Sequence, residues 1–257
     1  MIASLGMYDF GPAQGANDRL WAGIRDRLRA AGTPAPDALT RGEGADWQAW
    51  ESPDLVLSQT CGFPYRARLS DRVTLIGTPD FGVEGCLPGY YRSVFVARRD
   101  DPRTTVAEFD GTAIAYNEPL SQSGWAAPQT HAATYGLRFP PGLQTGWHRL
   151  SAQAVADGRA DLAAIDAVTW ALLTRGERFT DALRVVGQTD PTPGLPYIAA
   201  KGADAATAFA AIEGAIAGLS AHDRGILHLR GVVAIPAAAY LAVPTPPSPG
   251  QLAALAG

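Results

Sequence analysis

Short apolar runs that end in small polar residues, each followed by an amphipathic stretch, repeat along the chain from its first residues onward. That alternation is the pattern of an α/β fold with mostly parallel sheets, in which strand, covering helix and next strand follow in turn. Ile2 to Gly6 reads as the first strand. Leu20, Trp21, Ile24 and Leu28 then share one face of a helix that Asn17 would cap and that ends near Gly32. Leu55 to Leu57 is a second strand running out into Ser58-Gln59-Thr60, and Val73 to Ile76 and Tyr91 to Ala97 are the next two. After the charged turn from Arg98 to Pro102 the same order restarts.

In this second half Thr112 to Tyr116 is a strand ending at Asn117, followed by a Ser/Gly segment. Ser151 would cap a short helix closed by Gly158, Asp161 to Ile165 is a strand that delivers Asp166, and Ala167 to Leu173 is helical. A strand from Leu183 to Val186 leads into the rigid segment Gln188 to Pro196. Two helices, about 203–219 and 223–229, precede a tail, Pro244 to Gly250, too rich in proline to be regular. The charged turn near Asp101 and the Pro-rich return near Pro191 predict two lobes, one from 1–102 plus 191–257 and the other from 103–190. Two crossing segments make a hinge, and a cleft between hinged lobes suits a small ligand.

Composition narrows the function. At 257 residues the chain can bury its core without disulfide staples. Its 21 basic and 25 acidic residues give a net charge of −4 with no basic stripe, which argues against nucleic acid as a partner. No apolar run reaches the roughly 18 residues of a membrane span, and the opening Met1 to Asp9 has no basic and apolar leader pattern. The chain as written is therefore expected in the cytoplasm, or in the periplasm if a leader lies upstream. Cys61 and Cys86 lack the companions a zinc site needs, so no metal is expected, and they read either as two thiols or as a disulfide. No phosphate loop, dinucleotide fingerprint, nucleophile elbow or zinc-protease motif occurs, and no cofactor is expected.

In open α/β sheets ligands bind beyond the carboxyl ends of the strands, and there this sequence places its uncommon polar residues. Tyr8 and Asp9 follow the first strand, Gln59 the second, Ser121-Gln122-Ser123-Gly124 the strand ending at Asn117, and Asp166 a later one. His148 lies just before a helix start. Hydroxyls at a helix N-terminus, with its amides and dipole, make an anion site, although Ser121 or Ser123 could equally be a plain N-cap. Pro128 implies either a kinked helix or one that begins there. His148 could donate to an oxyanion or cap the next helix, and Asp166 could accept from a ligand or do the same. Ser123, His148 and Asp166 could also be ordered as nucleophile, base and orienter.

Taken together, Ser121 to Gly124 after Asn117, Gly146-Trp147-His148 with Ser151, and Asp157 to Asp166 resemble the phosphonate-type substrate-binding proteins of ABC transporters. Leu57 to Gly62, Gly85-Cys86, Tyr91 to Ser93 and Pro191 to Tyr197 look like a subgroup of that family. The resemblance spans Met7 to about Tyr240. It implies a type II periplasmic-binding-protein fold, a non-catalytic monomer that closes on a small oxyanion such as phosphonate, phosphite or phosphate, and an ABC permease and ATPase as partners. It also implies that Ser121, Gln122, Ser123 and His148 hold the oxyanion, that Asp166 faces an amino group, and that Tyr8, Gln59 and Tyr91 come from the opposite lobe, where Asp9 could stand in for a second acid. The second acid of aminophosphonate binders is missing from Thr192 to Leu195. An enzyme on the same scaffold and an intracellular sensor are the alternatives.

Overall fold

The computed structural model describes residues 1–42 and 44–255. Among these residues twelve strands run in chain order: β1 (Ile2–Ser4), β2 (Leu55–Gln59), β3 (Val73–Asp80), β4 (Tyr90–Tyr91), β5 (Ser93–Arg98), β6 (Ile114–Tyr116), β7 (Pro141–Gln144), β8 (Leu162–Asp166), β9 (Leu183–Gln188), β10 (Thr192–Pro193), β11 (Tyr197–Ala200) and β12 (Gly231–Val233). The chain divides into two compact units, Met1–Tyr90 with Pro193–Ala242, and Tyr91–Thr192 with Val243–Gly257.

The first unit holds a five-stranded sheet in the order β1-β2-β11-β3-β12. β1 and β2 are parallel, while β11 runs antiparallel between β2 and β3. The helix Ala13–Ala30 packs on the helix Ala205–Gly218, burying Leu20, Trp21, Ile24 and Leu28 with Ile212, Ala215 and Ile216. The apolar spacing read from sequence is thus the buried face. The helix starts earlier than expected, however, because Pro12, whose ring fixes φ, precedes its first turn. Asn17 therefore lies inside it and donates instead to the Asp9 carboxylate at 3.0 Å.

The second unit holds a five-stranded sheet in the order β7-β6-β8-β5-β9. β6 is parallel to both β7 and β8, and β5 is antiparallel to β8 and β9. This pairing corrects the expected boundaries. β5 precedes the charged turn but takes its partners from the middle of the chain, so the division falls at Tyr90/Tyr91 and Thr192/Pro193 rather than 102/103 and 190/191. The turn itself belongs to the second unit, where Arg98, Arg103, Asp101 and Asp161 form an ion-pair cluster and Arg103 holds the Asp101 carboxyl down to about 2.

The chain crosses a third time at Ala242/Val243, so the tail belongs to the second unit and not to the first. Its Pro-rich stretch ends in a helix, Pro249–Leu255. Ser248 and Gln251 make a reciprocal cap there, the Ser248 amide donating to Gln251 Oε1 at 2.8 Å and the Gln251 amide to Ser248 Oγ at 3.3 Å. Proline is tolerated in such a first turn because its absent N–H has no helical partner to lose.

Candidate functional site

Four elements of the second unit converge on one turn. Ser121 leaves the loop after β6 in extended geometry, and its Oγ accepts the Gly124 amide at 2.9 Å. It is the N-cap of the two serines. The next five residues, Gln122–Ala126, form a π turn in which the Ala126 amide reaches back to the Ser121 carbonyl at 3.0 Å. An α-helix, Ala127–Tyr135, continues from it with Pro128 in its first turn. The wider turn accommodates Pro128, because a new α-helix begins there instead of running through the proline. Replacing Ser121 by alanine is expected to cost about 1 kcal/mol, the usual value of such a cap, read as a lower urea midpoint.

Ser123, freed from capping, sits with its Oγ 2.7 Å from His148 Nε2. His148 opens the helix His148–Ala156, which starts three residues before the expected cap because Gly146, at φ 86°, turns the chain and Trp147 is extended. Ser151 is consequently interior, its Oγ 2.7 Å from Thr145 Oγ1. His148 is half-buried as a residue, but its Nδ1 is out of solvent and makes no hydrogen bond. Burial pulls its pKa down to about 4, against a smaller opposing pull from the Ala164 backbone. The ring is neutral at physiological pH.

From below, Ser93 on β5 donates its hydroxyl to the Ser123 carbonyl at 2.9 Å. Across the β5–β8 pairing Ser93 stands opposite Asp166. Asp166 Oδ1 accepts the Val168 and Thr169 amides at 2.7 and 2.9 Å, so it caps the helix Ala167–Gly176. Its carboxylate does not reach His148 Nδ1, and no Ser-His-Asp relay is assembled. Two residues outside the expected ligand set join this cluster. Asn117 Oδ1 is buried beside Gly124 without a hydrogen bond, and Trp125 is fully enclosed. The strand-end position of Asn117 was the available signal for the first; no local signal marks the second.

In the first unit, Tyr8 follows β1 in a short 3₁₀ turn and Gln59 ends β2. Both line a small recess together with Asn17, Phe81 and Tyr197. Gln59 Nε2 donates to the Leu195 carbonyl at 3.3 Å, and burial raises the Tyr197 phenol. Asp9 is not open to a ligand in the same way, because Arg41 grips its carboxylate at 2.5 Å and Asn17 donates to it. Tyr91, expected opposite the serines, belongs to their own unit. The two cysteines are not bridged. Cys61 is buried after β2, whereas Cys86 is held half-exposed in a turn closed by its own amide on the Val83 carbonyl. Among the described residues no cluster of three or more His, Cys, Asp or Glu side chains could hold a metal ion, and no helix is long and apolar enough to cross a membrane.

The profile of one family, the periplasmic substrate-binding proteins of phosphonate ABC transporters, matches residues 58–239. The chain belongs to this family. The matched region contains every residue of the serine–histidine cluster. Solved structures agree on the fold, which is the two-lobe type II periplasmic-binding-protein fold. PhnD1 from Prochlorococcus marinus, in complex with methylphosphonate, superposes with a TM-score of 0.68 at 15% identity, covering 93% of each chain. XAC2383 from Xanthomonas citri, bound to chloride, gives 0.67 at 15% identity over 99% of this chain and 94% of its own. A phosphonate-transporter binding protein from Pseudomonas aeruginosa gives 0.61 at 14% identity over 91% and 80%. No curated protein matches the sequence. Members of this family are substrate-binding proteins, and they work with a small ligand, a permease and an ATPase.

Proposed function

We propose that this family member is a non-catalytic, monomeric receptor that closes its lobes on a small phosphonate-like oxyanion and presents it to an ABC permease. The observation that carries the reading is the Ser123 hydroxyl, placed at the start of a helical segment, released from capping by Ser121, and hydrogen-bonded to a neutral histidine. In this reading the Nε2–H of the neutral His148 donates to Ser123 Oγ, which leaves the hydroxyl proton to donate to the oxyanion and adds no fixed charge. The helix start favours negative charge through its dipole and first amides, with Gln122 and Ser123 at that start. An anion site of this kind requires no basic surface, which suits a chain of net charge −4.

Tyr8 and Gln59 supply the first unit's share of the ligand contacts in this reading, and Tyr91 adds to the second's. Asp9 acts through its ion pair with Arg41, positioning the Tyr8 turn. Asp166 is the group that would sense an amino substituent. The receptor would work in the periplasm, as the family's periplasmic substrate-binding proteins do.

A thermal-shift series with phosphate, phosphite, methylphosphonate, aminoethylphosphonate and a sulfonate tests the reading. A ligand that binds only the folded chain stabilises it by about 2.7 kcal/mol at a hundred times its Kd. At least one phosphorus oxyanion is expected to raise Tm in this way, and Ser123→Ala to weaken its binding by about ten- to a hundredfold, the worth of one hydrogen bond to a charged group. If none of these anions moves the transition, the oxyanion reading is wrong. The Ser123–His148 contact also favours a second reading, an enzyme acting on a small anionic substrate. Recovery of the bound anion chemically unchanged decides for the receptor.

A further inference from the structure

The residues after Ala242 lie outside the region that carries the family resemblance, which ends at 239, yet they return to the unit that holds the serine–histidine cluster. Their contact there is specific. Trp125, in the π turn two residues after Ser123, donates its indole N–H to the Pro247 carbonyl at 3.0 Å. The Trp125 side chain has no solvent exposure, and its ring packs on Tyr116 of β6 with centroids 5.0 Å apart. The helix Pro249–Leu255, fixed by its Ser248/Gln251 cap, packs against β7 beside it.

A π turn is a costly local geometry that persists only where its surroundings hold it. Here one side is held by the Ser121 cap and the Ser93 hydroxyl, and the other by Trp125. A buried indole N–H needs an acceptor, because an unpaired one costs about 1–3 kcal/mol. Within this environment the Pro247 carbonyl is that acceptor. Proline is well suited to present it, since the fixed φ makes the Pro-rich stretch stiff and leaves little entropy to lose when the carbonyl is held in place.

We propose that the C-terminal segment 243–255 is a positioning strap for oxyanion binding: through Trp125 and the Pro247 carbonyl it holds the π turn in the geometry that aims the Ser123 hydroxyl. The inference rests on the oxyanion reading above. The strap touches no ligand itself. Its removal lets the Trp125 indole seek another partner, and the turn that carries Ser123 moves with it.

The test uses the full chain, a truncation after Ala242, and Trp125→Phe, which keeps an aromatic ring but removes the donor. Each is titrated with whichever of phosphite or methylphosphonate binds the full chain. The truncation is expected to bind at least tenfold more weakly, and a synthetic peptide of residues 243–257 added in trans to restore affinity. Trp125→Phe is expected to weaken binding several-fold and supplies the answer if the truncated chain fails to fold. In a Ser123→Ala background Trp125→Phe should have no further effect on affinity, whereas a merely structural role would leave the two losses additive. Unchanged affinity in Trp125→Phe, or additive losses, overturns the strap. A full chain that binds neither anion instead removes the oxyanion reading on which it rests.

Discussion

A Gly124→Ala protein is expected to lose oxyanion binding altogether and to be about 1–3 kcal/mol less stable, the usual cost of forcing an extra methyl into a packed site. Gly124 is enclosed by the groups that make the site. A Cβ there would overlap Asn117 Oδ1 and stand 3.2 Å from His148 Cε1. Asn117 Oδ1 is already buried without a hydrogen bond, and the short Asn117 side chain has little freedom to withdraw. The turn must therefore shift, carrying Ser123 away from His148. Calorimetric titration reads the binding loss and urea unfolding the stability loss. Because the overlap is with one side chain, adding Asn117→Ala should recover most of the stability. A Gly124→Ala chain that binds as tightly as the original would mean that the turn is not where the anion sits.

Acid is expected to destabilise the protein through His148 in a definite window. The folded-state pKa lies near 4 because the ring is buried, against about 6.5 in the unfolded chain. Between these values the unfolded state binds more protons, so stability falls as pH falls from about 6.5 towards 4 and loses nothing more from this group below that. The difference corresponds to at most about 3 kcal/mol, at 1.36 kcal/mol per pKa unit. His148→Gln keeps a donor for Ser123 and does not titrate. Unfolding free energies from urea titrations at pH 7 and pH 4.5 should differ by about 2 kcal/mol more in the natural chain than in the variant, all other titrations being shared. Equal separations would show that His148 is not held neutral by burial.

The parts of this fold that depend on local pattern were legible. Leu20, Trp21, Ile24 and Leu28 fall at helical spacing, and that face is buried. Asp166 falls at the end of a strand because Leu162 to Ile165 is a continuous apolar run, buried throughout. What local pattern does not carry is pairing over distance. β5 looks like the last strand of the first half, and only its registers with β8 and β9 assign it to the second unit. The same holds for the site. Two serines at a helix start were visible, but which of them caps depends on a π turn that precedes Pro128 and whose Trp125 meets the distant tail, contacts that the local pattern does not carry. The tail helix was missed because proline outweighed the Ser248-Pro249-Gly250-Gln251 capping pattern, which carries the signal.

The sheet order of the first unit has a consequence for how the molecule matures on the ribosome. β11 sits between β2 and β3, so the slot between them stays empty until Ala200 has been synthesised. The second unit's sheet, by contrast, is complete once β9 ends at Gln188. During vectorial synthesis the sheet whose first strands emerge earliest is therefore the sheet completed last. Until then β2 and β3 present open edges, the kind of surface that strand exchange and aggregation exploit.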